Sequence, residues 1–186
     1  MNYLDITKCS VADGKGIRIV LWVSGCDHHC EGCHNPQSWD FNKGKPFTSE
    51  TREKILKELE NPYVWGVTIS GGEPLHFNNI TDVYNLCREI KEKYSNKTIW
   101  LYTGFTFEQL FIPKGYWTTS DVNIVRDLGN DILNYIDVLV DGQFIEEKRD
   151  LTLAFRGSSN QRIIDVKKTL EKNEIVLYET EVNKNA

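Results

Sequence analysis

Ile17-Arg-Ile-Val-Leu-Trp-Val23, running directly into Ser24-Gly25-Cys26, is the stretch that decides the fold. Its β-branched and aromatic side chains read as a buried strand. After a long loop, Ser49 to Leu59 carries Ile55, Leu56 and Leu59 on one helical stripe, so strand is followed by helix. The pattern then repeats along the chain. Val67-Thr-Ile69 reads as a second strand, and behind an Asn79 cap Ile80, Val83, Tyr84, Cys87, Ile90 and Tyr94 recur at helical spacing. Thr98-Ile-Trp-Leu-Tyr102 is the third strand. Ile124, Val125, Leu128, Ile132 and Leu133 mark a further helix, leading to a fourth strand at Ile136-Asp-Val-Leu-Val140. This alternation predicts an α/β fold with a mainly parallel sheet covered by helices. Trp22, Trp65, Trp100 and Tyr102 occupy strand positions and read as core rather than as platforms for a ligand ring.

The unusual residues all follow strands. The first strand runs into Ser24-Gly25-Cys26, the second into Ser70-Gly-Gly-Glu-Pro74, the third into Thr103-Gly104 and the fourth into Asp141-Gly142. In parallel sheets and barrels the carboxyl edge is where loops converge on ligands, because the crossover helices begin there with free backbone N–H groups. One site built from distant segments is therefore expected.

Composition narrows the setting. At 186 residues the chain holds one domain with a substantial core but not two ordinary ones. The hydrophobic share is 40%, and no apolar run approaches the ~20 residues of a spanning helix, so no membrane partner is expected. The net charge is -5 with Lys and Arg scattered, which argues against nucleic acid as a partner. Met1-Asn2-Tyr3-Leu4-Asp5 lacks the basic start of a secretory signal, so a cytoplasmic location is expected. Five cysteines there suggest metal rather than disulfides, since three fall within eight residues.

Those three lie in Gly25-Cys26-Asp27-His28-His29-Cys30-Glu31-Gly32-Cys33-His34-Asn35, spaced C-x3-C-x2-C. Three thiolates on one short loop can each take one iron of a [4Fe-4S] cube and leave the fourth iron open. A structural zinc site completed by His28, His29 or His34 is the alternative, although zinc ligands usually come as two couples and no second couple occurs. Of the remaining cysteines, Cys9 is isolated and Cys87 lies on a helical apolar stripe. About forty residues beyond the loop, the adjacent glycines of Ser70-Gly71-Gly72-Glu73-Pro74-Leu75 let backbone approach a ligand, with Glu73 beside it; an ordinary strand-to-helix turn is the plainer reading.

With both motifs in place, the chain resembles the radical S-adenosylmethionine superfamily, whose core is a full or partial (β/α)6 barrel. More narrowly it is similar to the anaerobic ribonucleoside-triphosphate reductase-activating proteins. The likeness is carried by Asn2-Tyr3, Gly14-Lys-Gly16, Gly25-Cys26 through Cys33-His34-Asn35, Ser70-Gly-Gly-Glu-Pro-Leu75, Trp100-Leu-Tyr-Thr-Gly104, Val138-Leu-Val-Asp-Gly142 and Arg156-Gly-Ser-Ser-Asn-Gln161. Many superfamily members have an aromatic residue before the third cysteine, where this chain has Gly32; activases of this type commonly have glycine there, with His or an aromatic after the cysteine, as His34 is.

The resemblance spans residues 1–162 and implies a single-domain partial (β/α)6 barrel, with 163–186 a C-terminal extension that has no functional reading. It implies a [4Fe-4S] cluster on Cys26, Cys30 and Cys33, and S-adenosylmethionine held around Gly32, Cys33, His34, Gly71, Gly72, Glu73, Arg156 and Asn160. It also implies the reaction: a reduced flavodoxin or similar donor supplies an electron, the C5′–S bond breaks, and the 5′-deoxyadenosyl radical takes hydrogen from the Cα of a glycine in the large reductase subunit. No catalytic side chain beyond the cluster ligands is required. Arg156 to Gln161 also reads as a solvated turn, and Asp141-Gly142 as a plain turn. The competing functions are activation of another glycyl-radical enzyme, such as pyruvate formate-lyase, a small-molecule radical enzyme, and a non-catalytic metal-binding or electron-transfer module.

Overall fold

The computed structural model describes residues 1–110 and 128–180. Within them the strands are β1 (Asn2–Ser10), β2 (Ile17–Val23), β3 (Lys45–Pro46), β4 (Val64–Gly71), β5 (Thr98–Tyr102), β6 (Val138–Asp141) and β7 (Arg162–Asp165). They form one sheet in the order β3-β1-β2-β4-β5-β6-β7. The neighbours β2, β4, β5 and β6 run parallel, whereas β3, β1 and β7 are antiparallel to the strands beside them. The fold is thus α/β with a mixed sheet that is parallel in the middle.

The four strands read from sequence are all present, with β4 longer at both ends than expected and β6 beginning at Val138 rather than Ile136. β1 was not legible. Its side chains are half-buried or exposed along the whole strand, and bulges break the pairing near Leu4 and near Lys8, so neither period 2 nor an apolar run survives in sequence. β7 crosses the boundary expected at residue 162 and makes the start of the C-terminal extension part of the sheet; the helix Val166–Lys172 follows it.

Two helices pack on the outer face of the parallel strands. In α1 (Ser49–Leu59), Ile55, Leu56 and Leu59 are buried as the stripe predicted, and Thr48 caps the start. In α2 (Ile80–Lys93), the buried residues include Ile80, Val83, Cys87 and Ile90. Asn79 stands at the cap position but makes no side-chain cap bond; its backbone is already in the right-handed helical region. Residues 128–132 are helical, with Ile132 and Leu133 in the core; Ile124 and Val125 lie outside the described residues.

The main core lies under these helices. A second, smaller cluster of Trp100, Val138, Val140 and Ile163 lies on the other side of the sheet, joined by Tyr102, Phe155 and Tyr178. Beside it is Arg18, which is fully buried. Its guanidinium donates to Thr68 Oγ1 at 2.8 Å, Thr98 Oγ1 at 2.9 Å and the carbonyls of Lys15, Val67 and Thr98. It also lies 5.5 Å from the Trp100 ring centre. Burial pulls its pKa down to about 10, so it stays protonated at neutral pH, bound by carbonyl and hydroxyl oxygens.

Asp137, just before β6, ties the fold together at the same amino-terminal ends of the strands, where it lines one hollow with Thr98 and Trp100. Its carboxylate accepts from Lys91 Nζ at 2.6 Å, Lys167 Nζ at 2.8 Å and the Ile99 amide at 2.7 Å, joining α2, β5 and the last helix. Burial opposes its ionisation, but the bonds from Lys167, Lys91 and Ile99 outweigh it and hold the carboxyl below its ordinary 3.8. Its contribution is therefore complete above pH 3.8 and is lost as pH falls through the lower folded value. Asp137→Asn should cost about 2 kcal/mol at pH 7 and progressively less below pH 4. Denaturant unfolding of both proteins across pH checks this, and a pH-independent difference would refute it.

Candidate functional site

The site begins with a backbone junction between two loops. The Gly72 amide donates to Val23 O at 2.8 Å and the Glu73 amide to Gly25 O at 2.8 Å, so the turn after β4 is stitched to the one after β2. A Cβ on Gly72 would come within 2.5 Å of Gly25 O. The glycine required for close approach thus meets the cysteine loop's own backbone. The Asn79 side-chain amide completes the junction by donating through Nδ2 to Ser24 O and Glu73 O, each at 2.9 Å.

The Glu73 carboxylate, almost completely buried, then joins a third loop. One oxygen accepts from the Leu75 amide at 2.9 Å and Thr103 Oγ1 at 2.8 Å. The other accepts from the Gly104 amide at 2.7 Å and His28 Nε2 at 2.9 Å. A carboxylate can only accept, so His28 donates through Nε2. That bond is the main reason its pKa is raised above 6.5. Its Nδ1 meets the Gln143 amide at 2.9 Å, bringing in the loop after β6.

Around this brace lies a cavity of about 480 Å³. All four carboxyl-edge loops reach it, as expected: Cys26, Cys30, Cys33 and His34 from the first, Ser70 to Glu73 from the second, Thr103-Gly104 from the third and Gly142 from the fourth. Arg156, Gly157 and Gln161 line it too, and among the described residues Arg156 is the one Lys or Arg that does. Gln161 folds its segment into a clip: its side-chain oxygen accepts from the amides of Gly157 and Ser158, and its amide donates to Gly142 O at 3.0 Å. Arg156 Nη1 donates to Gln161 O at 2.8 Å. The segment is therefore an ordered wall and not a solvated turn.

Two expected contacts are not brought to the cavity. Gly32 is not among its lining residues; it makes a left-handed turn, at φ 67°, beside the Glu146 carboxylate. Asn160 is not among them either, and its amide donates to Gln143 O at 2.8 Å, bracing the neighbouring loop. Among the four aromatics read as core, Trp100 is fully buried and Tyr102 packs against the same small cluster. Trp65 is exposed, and Trp22 and Tyr102 line the cavity. Asp13, Gln143, Phe144 and Phe155 also line it and carried no sequence signal, since they lie in loops without periodicity. Asp141 is more than a turn residue: it is buried, accepts from the Phe107 amide at 2.8 Å and pairs with Arg162.

The donor set suits iron and sulfur. Cys26, Cys30 and Cys33 are free thiols facing one cavity, whereas Cys9 is exposed on β1 and Cys87 is sealed in the core. Burial pushes the Cys26 thiol up to about 11 and raises Cys30 as well, so both need a cation to ionise at neutral pH. Among the described residues no three His, Cys, Asp or Glu side chains converge on one ion position. Three thiols lining one cavity can each take a different iron of a cube.

A mixed α/β sheet carrying such a loop defines a class: residues 12–164 match the family described as "4Fe-4S single cluster domain". The chain also matches anaerobic ribonucleoside-triphosphate reductase-activating proteins along nearly their whole length. It is 38% identical to that of Vibrio cholerae over 165 residues, 88% of this chain and 97% of the relative. Identity is 36% over 163 residues both with that of Escherichia coli, covering 87% and 96%, and with that of Enterobacteria phage T4, covering 88% and 93%. This chain belongs to the family of anaerobic ribonucleoside-triphosphate reductase-activating proteins, and it carries a 4Fe-4S domain.

Glu73→Gln puts an NH2 group where two donors now converge, and should lower the stability of the cluster-free protein by about 2–3 kcal/mol. Gly72→Ala should cost about 1–3 kcal/mol by forcing the two backbones apart. Both are read from denaturant midpoints, and unchanged midpoints would show that the junction is not structural.

Proposed function

We propose that this chain is a radical S-adenosylmethionine activase that places a glycyl radical on the large subunit of an anaerobic ribonucleoside-triphosphate reductase. The observation that carries the reading is the convergence of Cys26, Cys30 and Cys33 with Gly71, Gly72 and Arg156 on one cavity. The names of the relatives support this partner over another glycyl-radical enzyme such as pyruvate formate-lyase, although the chemistry is of the formate-lyase-activating type. The four neighbouring parallel strands β2, β4, β5 and β6 support a partial (β/α)6 barrel as the frame of this reading.

The three thiols would hold a [4Fe-4S] cluster, which when bound supplies the single electron for reductive cleavage of S-adenosylmethionine. Backbone carbonyls of Ser70 to Gly72 would take the ammonium of the methionine moiety, because both Glu73 oxygens are already occupied by protein donors. Arg156, the lining cation, would take the carboxylate. His34, which tilts against Phe144 with ring centres 5.0 Å apart, would pack beside the cofactor. In this reading the protein positions its ligands and excludes water, and a side-chain general base is unnecessary. The electron comes from reduced flavodoxin or a similar donor, and the setting is the cytoplasm. Among the described residues no helix is long and apolar enough to cross a membrane.

Anaerobic mixing of the iron–sulfur-reconstituted protein with the reductase, S-adenosylmethionine and a reductant should give a glycyl-radical signal in electron paramagnetic resonance. Its absence with an intact cluster would refute the proposal. Cys26→Ala, Cys30→Ala and Cys33→Ala should each abolish cleavage, whereas Cys87→Ala should keep the cluster and cost only about 1 kcal/mol of stability. Arg156→Lys keeps the charge but loses the planar fork, and should weaken S-adenosylmethionine binding roughly tenfold, measured by equilibrium dialysis.

A further inference from the structure

The inner face of the sheet carries an aromatic partition that the reaction as described does not use. Trp100, fully buried at the middle of β5, has the Phe155 ring 5.3 Å away on one side and the Tyr178 ring 5.2 Å away on another, both edge-on. Phe155 faces the ligand cavity. Trp100 and Tyr178 face a separate hollow of about 230 Å³, where Thr98 and Val138 mark the amino-terminal ends of β5 and β6. The three rings therefore stand between the cavity and the opposite end of the sheet.

Both outer members are held in place. Phe155 adopts φ 58°, a left-handed conformation that a bulky side chain rarely takes, and its carbonyl accepts from the Tyr102 hydroxyl at 2.8 Å. Tyr178 is delivered by the chain returning along the outer edge of β7. The Asp165 amide donates to Val176 O at 2.9 Å, the Tyr178 amide donates to Ile163 O at 2.8 Å, and Ile164 bridges to Leu177. The match to the 4Fe-4S family ends at residue 164, so this closing residue lies beyond it.

We infer that residues 175–178 close the floor of the site: Tyr178, acting through Trp100 on Phe155, keeps water from reaching the ligand cavity from the amino-terminal end of the sheet. Tyr178 is a positioning residue, since it touches Trp100 and not the cavity. The inference rests on reading the cavity as the S-adenosylmethionine site. Its physical content is that a radical reaction needs a dry pocket and that an edge-on ring contact fixes its neighbour's orientation.

The test compares Tyr178→Ala and Tyr178→Phe with the unaltered full chain. In Tyr178→Ala, S-adenosylmethionine should bind to the cluster-loaded protein roughly three- to tenfold more weakly, as expected when an aromatic contact and the packing behind it are lost. The yield of 5′-deoxyadenosine per glycyl radical should rise. In the cluster-free protein, amide hydrogen exchange across Thr98–Tyr102 should quicken, a readout independent of the reaction. Tyr178→Phe should match the unaltered protein, because the ring and not the hydroxyl makes the contact. Unchanged affinity, coupling and exchange in Tyr178→Ala, or equal damage in Tyr178→Phe, would overturn the inference. If the unaltered protein binds no S-adenosylmethionine, the functional reading fails, while the exchange comparison still decides whether the partition is closed by Tyr178.

Discussion

The buried Glu73 carboxylate is the interaction on which the site depends. Three carboxyl-edge loops deliver donors to it: Leu75 from its own turn, Thr103 and Gly104 from the end of β5, and His28 from the cysteine loop. Those loops are separated by tens of residues in sequence, and the carboxylate adds side-chain bonds to the backbone bonds that already stitch the first two together. Burying an ionised carboxylate is costly unless it is fully hydrogen-bonded, and here both oxygens are doubly engaged. The requirement works in both directions: the charge needs four donors in place, and the donors fix the loops that carry them.

A second buried charge, Arg18, does the corresponding work near the amino-terminal ends of the same strands. It holds Val67 of β4 and Thr98 of β5 through their carbonyls, so neighbouring strands share one guanidinium. The parallel sheet is clamped by a cation at one end and an anion at the other. The apolar core beneath α1 and α2 supplies most of the driving force, while Arg18 ties neighbouring strands together and Glu73 ties the loops that follow them.

The interior strands were legible because a parallel sheet covered on both faces writes itself as continuous β-branched runs. The carboxyl-edge rule points to the cavity, and the cysteine spacing marks the three thiols that line it. What sequence did not reveal has physical reasons. β1 is a bulged edge strand with little buried area to encode it. Glu73, Asn79 and Gly72 were read as facing a ligand or capping a helix, because a short polar side chain or a glycine has the same signature whether it serves ligand or backbone. The Arg156-to-Gln161 clip depends on Gln161 reaching Gly142, a contact that no local pattern announces.

The two rims of the sheet differ in a way that bears on how the protein behaves in a crowded solution. At one rim β1 pairs with β3 only through Asn2 and Tyr3, and the rest of its edge is interrupted by bulges and carries Lys8. At the other, β7 is covered by the returning residues 176–178. A bulged, charged rim and a covered one both discourage strand-to-strand growth between copies. Among the described residues the sheet does not close on itself, yet neither of its rims offers a template for fibres.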